Sequence, residues 1–259
     1  MRPLHLTQPV RRRALAVLAS TALVAGIAVA ATGPTLAVNG GACNRPYDLT
    51  VDPANFSDEQ GAPNAIDNPY FPLVPGTTFT YSGFKEGEPL TDVMTVTPAT
   101  RTIMGVTVRV VRDSAYSNGV LSEDTFDWYA QDDQGNVWYF GEDTRELDEG
   151  GNVITTEGSW EAGQGANLPG ILIQDQPRSG KTYRQEFAPD VAVDMATVLS
   201  RVRHTTVPAG TYSRVLMTKE FSCLEKGVDH KLYAPGVGLI KELALSNGRE
   251  GISLVSVTH

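Results

Sequence analysis

Residues 123–143 read Glu-Asp-Thr-Phe-Asp-Trp-Tyr-Ala-Gln, then Asp-Asp-Gln-Gly-Asn, then Val-Trp-Tyr-Phe-Gly-Glu-Asp. Two runs rich in aromatic residues flank a cluster of turn-forming residues, which is the pattern of a β-hairpin. A type I turn with a glycine bulge accounts for Asp132–Asn136, and this segment lacks the spacing and the final glutamate of an EF-hand loop. We therefore predict a hairpin at the centre of an all-β domain, with no dedicated calcium site in its turn.

Aromatic side chains occupy both faces of this hairpin, because successive residues of a strand point to opposite sides. A half-buried strand normally has one apolar and one polar face, so each aromatic face is expected to contact something other than solvent. One interpretation is burial in the core. The other is that one face lines a groove for an apolar or sugar-like ligand. The candidate binding residues are Phe126, Trp128, Tyr129, Trp138, Tyr139, Phe140 and, further along the chain, Trp160.

Strand-like runs continue on both sides of the hairpin, separated by turns such as Ser117-Asn118-Gly119. They number about ten, with little helix, and predict an antiparallel meander curled into a half-barrel or a barrel. Residues 190–202 fit a helical turn or a strand, and we favour a strand from about Thr197. Residues 161–180 are predicted to form a long loop in which Leu168–Ile173 is a buried apolar plug.

The N-terminal segment has the three parts of an export signal. Arg11-Arg12-Arg13 is positively charged, residues 14–31 are uncharged and mostly apolar, and Thr35-Leu36-Ala37 is a small-residue cleavage site. We expect a protein that is secreted or held in the cell envelope. The predicted organisation is a signal peptide over residues 1–37, an extended arm over 38–66 and a single antiparallel β domain over 67–259.

Removal of the signal leaves a strongly acidic chain. The sequence has 21 Lys and Arg against 30 Asp and Glu, and four of the arginines lie in the signal. The mature net charge is therefore 17 − 30 = −13, which disfavours nucleic acid as a partner. We expect no transmembrane helix in the mature form. The sequence indicates no particular oligomeric state.

Cys43 and Cys223 are the two cysteines of the chain. In an oxidising compartment they are expected to pair, which would close a loop of roughly 180 residues. The alternative is a lipoprotein in which Cys43 is acylated. Gly40 stands where a lipoprotein signal carries an aliphatic residue, so we favour the disulfide.

Three short motifs carry a resemblance to a known family. They are Tyr-Phe-Pro-Leu-Val-Pro-Gly-Thr at 70–77, Val-Pro-Ala-Gly-Thr-Tyr at 207–212 and Tyr-Ala-Pro-Gly-Val-Gly-Leu-Ile-Lys at 233–241. Their order and spacing resemble the TapB-like group of bacterial exported β-domains, which look like the half-barrel sheets of the LolA and LppX lipoprotein carriers. The resemblance implies a fold, an exported location and a concave apolar surface, and it carries no catalytic residues.

Carboxylates of the hairpin supply the candidate catalytic site, made of Asp124, Asp127 and Glu142. Two carboxylates about 5–9 Å apart can hydrolyse a glycosidic bond. Burial among aromatic rings would raise the pKa of Asp127, as a general acid requires. A chain this acidic places carboxylates beside any strand, however. We therefore favour a non-catalytic binding or structural protein, with an extracellular carboxylate-dependent hydrolase as the alternative.

Other chemical signals are weak. A zinc site needs three or four convergent ligands, whereas His204 and His230 lie on different predicted strands. We expect His204 to be half-buried on the face it shares with Val198 and Val202. The sequence has no nucleophile elbow, phosphate loop or dinucleotide fingerprint. We therefore expect neither a metal nor a cofactor.

Overall fold

The computed structural model describes residues 40–245 and 250–259, without the side chains of Val202 and Arg203. The predicted signal segment and the predicted turn at Ser246-Asn247-Gly248 lie outside the described residues. Two short helical turns are present, a four-residue α-helix at Gly40–Cys43 and a 3₁₀ turn at Pro53–Phe56. The side chain of Asp52 accepts a hydrogen bond from the backbone N–H of Ala54 and so caps the second turn.

The fold is all β, as the alternating sequence predicts. Side chains alternate along a strand, so Leu90, Asp92, Met94 and Val96 on one side of the second strand are buried while the residues between them are more exposed. The fifteen strands of the described residues are β1 Thr78–Lys85, β2 Glu88–Ile103, β3 Val106–Ser117, β4 Val120–Gln131, β5 Val137–Leu147, β6 Val153–Thr155, β7 Trp160–Glu161, β8 Leu168–Ile173, β9 Thr182–Arg184, β10 Glu186–Phe187, β11 Asp194–Val207, β12 Gly210–Ser222, β13 Asp229–Ala234, β14 Gly238–Ala244 and β15 Gly251–Thr258.

The strands form one antiparallel sheet with the shape of a nearly closed barrel. Each strand from β1 to β5, and from β11 to β15, pairs with the next in sequence, and the pairing of β1 with β15 joins these two halves. On the far side, β9 pairs with β11 while β10 pairs with β8, which itself pairs with β5. Residues 182–187 therefore hold both edges of the sheet, and the predicted antiparallel meander is confirmed.

The segment between β5 and β11 differs from the prediction. Leu168–Ile173 is a strand of the wall and not a plug in a loop, because its backbone pairs with β5 and β10. A Cβ on Gly170 would lie 2.2 Å from the carbonyl oxygen of Gln185, so the proline and glycine that looked like a loop permit close backbone approach. Of the two alternatives for residues 190–202, the favoured strand is present and begins at Asp194, three residues before the predicted start. A turn precedes it in place of a helical turn, with Asp190 at φ of +67° between the bridged residues Ala188 and Ala192.

The segment Asn68–Leu73 crosses one end of the barrel-shaped sheet. Asn68 Nδ2 donates to the carbonyl oxygen of Gly135, and the backbone N–H of Gly236 donates to that of Pro69, each at 2.7 Å. Phe71 is buried against Tyr129, with ring centroids 5.5 Å apart. Two of the three motifs that carry the family resemblance therefore meet at this end.

A disulfide joins Cys43 to Cys223, which are 180 positions apart in sequence, with the Cα atoms 5.6 Å apart. The predicted pairing is confirmed. It fixes the N-terminal arm to the end of β12. The arm is also held by Tyr47, whose hydroxyl donates to the carbonyl oxygen of Pro169 at 2.7 Å.

We expect the double substitution of Cys43 and Cys223 by serine to lower the free energy of unfolding by about 2–4 kcal/mol, because an open chain gains entropy when it unfolds. Urea denaturation of the oxidised protein and the variant measures the difference. The intact mass of the mature protein should rise by two hydrogens on reduction. A mass that includes a lipid on Cys43 would contradict the bridge.

Candidate functional site

Three of the seven predicted binding residues line the interior of the sheet. Tyr129 on β4 and Tyr139 on β5 are fully buried there and stack with ring centroids 4.9 Å apart. Trp160 on β7 packs edge-on against Tyr139 at 5.6 Å. The interior therefore has an aromatic wall, but this wall is built mainly of tyrosines and not of the hairpin tryptophans.

The other four predicted binding residues lie on the outer side of the hairpin and are largely covered by the protein itself. The guanidinium of Arg101 lies 4.1 Å from the ring centroid of Trp128. Phe56 of the arm packs edge-on against two of the rings, at 6.0 Å and 5.7 Å. Part of the outer face lines a cavity of about 230 Å³ between the arm and the hairpin turn. The four residues are Phe126, Trp128, Trp138 and Phe140.

Charged side chains share the interior with the tyrosines, although such groups are almost never fully buried unless paired. Burial raises the pKa of Asp113 on β3 and of Glu186 on β10, and the charge of Lys231 on β13 opposes the rise in both. These three strands lie on different parts of the wall, so their side chains face one common space. The charged side chains of the interior that are at most 5% exposed are Asp92, Asp113, Glu123, Asp127, Glu142, Glu186, Asp194, Glu220, Glu242 and Lys231.

A bulge in β5 aims Glu142 into this interior. Asp127 pairs with Glu142, but the next pair is Tyr129 with Tyr139, so two residues of β5 face a single residue of β4. The second of the two is Gly141, which has φ of +120° and whose Cβ would lie 2.1 Å from a carbonyl oxygen of β7. The extra residue shifts the alternation by one position. Tyr139 and Glu142 consequently lie on the same side of the sheet.

Asp127 and Glu142 form a buried acid pair with little compensation from the protein. The hydroxyl of Tyr139 donates to Asp127 Oδ1 at 2.6 Å. That hydroxyl has one proton, and neither oxygen of Glu142 accepts a hydrogen bond from the described residues. Burial and then the charge of Asp113 raise the pKa of Asp127 well above its usual range, and hydrogen bonds with the hydroxyls of Tyr139 and Tyr129 oppose this rise. Burial, followed by the charge of Asp127, raises the pKa of Glu142 well above its usual range.

Asp92 on β2 and Asp113 on β3 form a second buried acid pair. A hydrogen bond between the two carboxyl groups contributes to the pKa shifts of both residues, and no other described residue donates to Asp92 or to Oδ2 of Asp113. Burial and then the charge of Asp113 raise the pKa of Asp92 well above its usual range. A buried carboxylate without a partner is costly, so a positive charge placed at either pair would be stabilised.

Lys231 shows how this interior holds a positive charge. Its Nζ lies 3.2 Å from Glu220 Oε2 and 3.6 Å from Glu242 Oε2. Glu220 Oε1 accepts hydrogen bonds from the hydroxyls of Thr218 and Tyr233 at 2.7 Å and 3.0 Å. Burial raises the pKa of Glu242 to about 8 despite the nearby ammonium. The ion pair is thus part of a buried network and not an isolated surface contact.

The structure brings together two of the three predicted catalytic carboxylates. Asp127 and Glu142 are cross-strand neighbours in the interior. Asp124 lies on the outer face, where it accepts hydrogen bonds from Arg112 Nε at 2.7 Å and from the hydroxyl of Ser114 at 3.0 Å. A hydrolase that uses the interior would therefore rely on Asp127 and Glu142 alone, and this alternative stays a prediction.

The hairpin turn uses Asp132 as a structural residue. Asp132 Oδ1 accepts hydrogen bonds from the backbone N–H groups of Gln134 and Asn136, and Oδ2 accepts one from Trp138 Nε1 at 2.8 Å. Among the described residues, no three His, Cys, Asp or Glu side chains are grouped as metal ligands. His204 is exposed, so its predicted half-burial is wrong.

His204 is exposed because β11 has a bulge between Val198 and Ser200, where its register with β12 shifts by one residue. The shift moves His204 off the buried face of Val198. The sequence analysis did not identify most of the buried acids. For some of them the alternation of the strand is a usable signal. Asp92 alternates in phase with the apolar residues Leu90, Met94 and Val96, so it had to point into the core.

Comparison with known proteins finds similar folds at low sequence identity. No family model matches the chain, and no curated protein matches it. A crystal structure named as an exported protein with a YmcC-like fold, from Bacteroides fragilis, is 13% identical with a TM-score of 0.43, covering 73% of this chain and 99% of that one. A lipoprotein structure from Parabacteroides distasonis is 12% identical with a TM-score of 0.41, covering 73% and 98%. In the described part of this chain, each helix is too short to cross a membrane.

Proposed function

We propose that the protein is a non-catalytic binding protein that holds a cationic ligand inside its barrel-shaped sheet. The observation that carries the proposal is Glu142, whose two side-chain oxygens are buried beside Asp127 and accept no hydrogen bond from the described residues. A cation would relieve the cost of burying these groups, as an opposite charge nearby favours the ionised form of a carboxylate.

The lining of the interior supports a cationic ligand better than the apolar or sugar-like ligand expected from the sequence. The end closed by residues 68–73 is apolar, with Phe71, Leu73 and Phe79 buried near it. Further in, acidic side chains alternate with tyrosine and threonine. An apolar ligand would leave these acids unpaired, whereas a cation with a short hydrocarbon part matches both regions.

We also propose that the protein is exported from the cytoplasm. An N-terminal segment with adjacent arginines, an apolar run and a cleavage site supports it. The disulfide between Cys43 and Cys223 supports it as well, because such bonds persist in oxidising compartments. We infer that the protein meets its ligand outside the cytoplasm, in the envelope or in the medium.

Titration calorimetry at pH 7 tests the proposed function with calcium chloride, 1-aminooctane and the neutral 1-octanol. We expect at least one cation to bind and to displace protons, since the interior acids have raised pKa values. The released protons are counted by repeating the titration in buffers of different ionisation enthalpy. The double variant Asp127→Asn, Glu142→Gln should bind the cation about tenfold more weakly, a loss typical of one charge-assisted contact.

Asp143→Asn is the matched control, because Asp143 follows Glu142 but lies on the outer face in a half-exposed ion pair with Arg145. This variant should bind as the parent protein does. The proposed function is wrong if none of the cations binds, or if 1-octanol binds as tightly as 1-aminooctane without proton release.

A further inference from the structure

The interior contains a pattern that specifies the cation more closely. We propose that the ligand is a linear diammonium compound, with one ammonium group held by Asp127 and Glu142 and the other by Asp92 and Asp113. This inference rests on the proposed function, because it names the chemical class of the ligand at the same site.

The interior already holds one primary ammonium group, that of Lys231. The protein places its own primary ammonium between two buried glutamates of neighbouring strands, at 3.2 Å and 3.6 Å. An ammonium has three donors and no fixed geometry, so it fits between two carboxylates without a designed cage. The interior therefore already holds one ammonium group between two carboxylates. The proposed ligand would place two more ammonium groups in the same way.

Each of the two acid pairs brings two carboxyl groups together, as Glu220 and Glu242 are brought together around Lys231. Asp127 and Glu142 are directly opposite each other on β4 and β5, and Asp92 and Asp113 lie on β2 and β3. Glu142 accepts no hydrogen bond from the described residues, and among them Asp92 has the carboxyl group of Asp113 as its partner. The hydroxyl of the fully buried Tyr129 lies beside Asp127 and adds a neutral oxygen among the same acids.

The register of the sheet sets the distance between the two pairs. Asp127 is opposite Val111, and Asp92 is opposite Ala115, so the pair centres are two strands and three residues apart. Strand spacings of about 4.8 Å and a rise of about 3.4 Å per residue give a separation of about 10–14 Å, the lower value allowing for convergence of side chains inside a curved wall. A chain of eight methylenes between two amines spans such a distance.

The surface between the pairs is suited to hydrocarbon. Val111, which is fully buried, precedes Asp113 by two residues on the inner face of β3 and lies opposite Asp127. A methylene chain that connects the two ammonium groups would pack against Val111 and exclude water. The site thus offers a charge at each end and an apolar contact in the middle.

The test compares three probes by titration calorimetry at pH 7: 1,8-diaminooctane, 1-aminooctane and 1,4-diaminobutane. We expect 1,8-diaminooctane to bind at least about tenfold more tightly than either of the others, because its second contact is intramolecular. The monoamine lacks the second charge, and the shorter diamine cannot span the distance between the centres of the two pairs.

Two double variants assign the ends of the ligand. In Asp127→Asn, Glu142→Gln and in Asp92→Asn, Asp113→Asn, the advantage of 1,8-diaminooctane over 1-aminooctane should disappear, while Asp143→Asn keeps it. Amides match the acids in shape, and far-ultraviolet circular dichroism confirms that each variant is folded. Thermal denaturation with each amine gives an independent measure, since the diamine should raise Tm more than the monoamine in the parent protein and in Asp143→Asn but not in the double variants.

The outcomes separate this inference from the proposed function. Equal affinity for 1-aminooctane and 1,8-diaminooctane, or tight binding of calcium with no amine binding, overturns the diammonium ligand and leaves a cation-binding protein. Absence of binding by every cation overturns both. An advantage for the diamine that persists in both double variants places its binding elsewhere and also overturns the inference.

Discussion

Lys231→Met will lower the free energy of unfolding by about 3–5 kcal/mol, the usual cost of removing one partner from a buried ion pair. The ammonium of Lys231 lies between Glu220 and Glu242, and all three side chains are nearly inaccessible to solvent. Methionine fills a similar volume but leaves two glutamates that must stay protonated or remain as unpaired charges. Urea denaturation followed by tryptophan fluorescence measures the loss at pH 7.

Lys181→Met is the control for this experiment, because Lys181 is exposed and precedes β9 at the surface. It should change the stability by less than about 0.5 kcal/mol. Adding Glu220→Gln and Glu242→Gln to Lys231→Met should recover much of the loss, since a neutral network replaces the unpaired charges. A Lys231→Met protein as stable as the control would show that the buried triad has no net role in stability.

The ligand-free protein will be less stable at pH 8 than at pH 5, the opposite of most proteins whose acids are paired. Burial raises the pKa of Glu123 to about 7 and that of Glu242 to about 8. The unfolded chain loses these protons near pH 4.3. Between that pH and pH 7–8 the folded state binds more protons, so its stability falls as the pH rises. Glu123 alone contributes about 3 kcal/mol to the fall, at about 1.4 kcal/mol per pKa unit.

The dependence can be checked by urea denaturation at several pH values in the parent protein and in Glu123→Gln. The variant cannot ionise at this position, so its stability should fall less between pH 5 and pH 8. Glu157→Gln, an exposed substitution on the outer side, should leave the pH profile of the parent unchanged. Stability that rises from pH 5 to pH 8 would contradict the raised pKa values of the interior acids.

Local sequence patterns were sufficient to predict the framework of the fold. The turn at Asn118-Gly119 has φ values of +52° and +81°, which are the conformations that a two-residue hairpin turn requires and that these residues favour. The ten long strands correspond to the predicted meander. Cys43 and Cys223 pair as expected, because an exported domain with two cysteines has one bridge to form.

The elements that close the sheet were not predictable in the same way. The five short strands from β6 to β10 have two to six residues, too few to show an alternation. Their pairing depends on contacts far away in sequence, as between β8 and β5. Gly170 looked like a loop residue, although it is required because the backbone of Gln185 approaches so closely.

The candidate site was also predictable only in part. Alternation alone places Asp127 on the face of Tyr129 and Asp124 on the opposite face. It cannot place Glu142, because the bulge at Gly141 reverses the alternation of β5. Nor can it show that Lys231 lies between Glu220 and Glu242, since that requires the registers of three strands. The aromatic hairpin was therefore identified correctly as an element, while the acids that it helps to bury were not assembled into one interior.

Residues 182–187, which hold both edges of the sheet, also determine how quickly a ligand could exchange. Because residues 182–187 are hydrogen-bonded to β8 on one side and to β11 on the other, the sheet cannot open between these strands as two separate sheets could. A ligand must pass through an end, and one end is occupied by Asn68–Leu73. Association should therefore be slower than the typical rate constants of about 10⁵–10⁷ M⁻¹ s⁻¹, since it waits for movement of loops. Dissociation is slowed by the same barrier, so a complex formed in a dilute exterior would persist long after the free ligand had been removed.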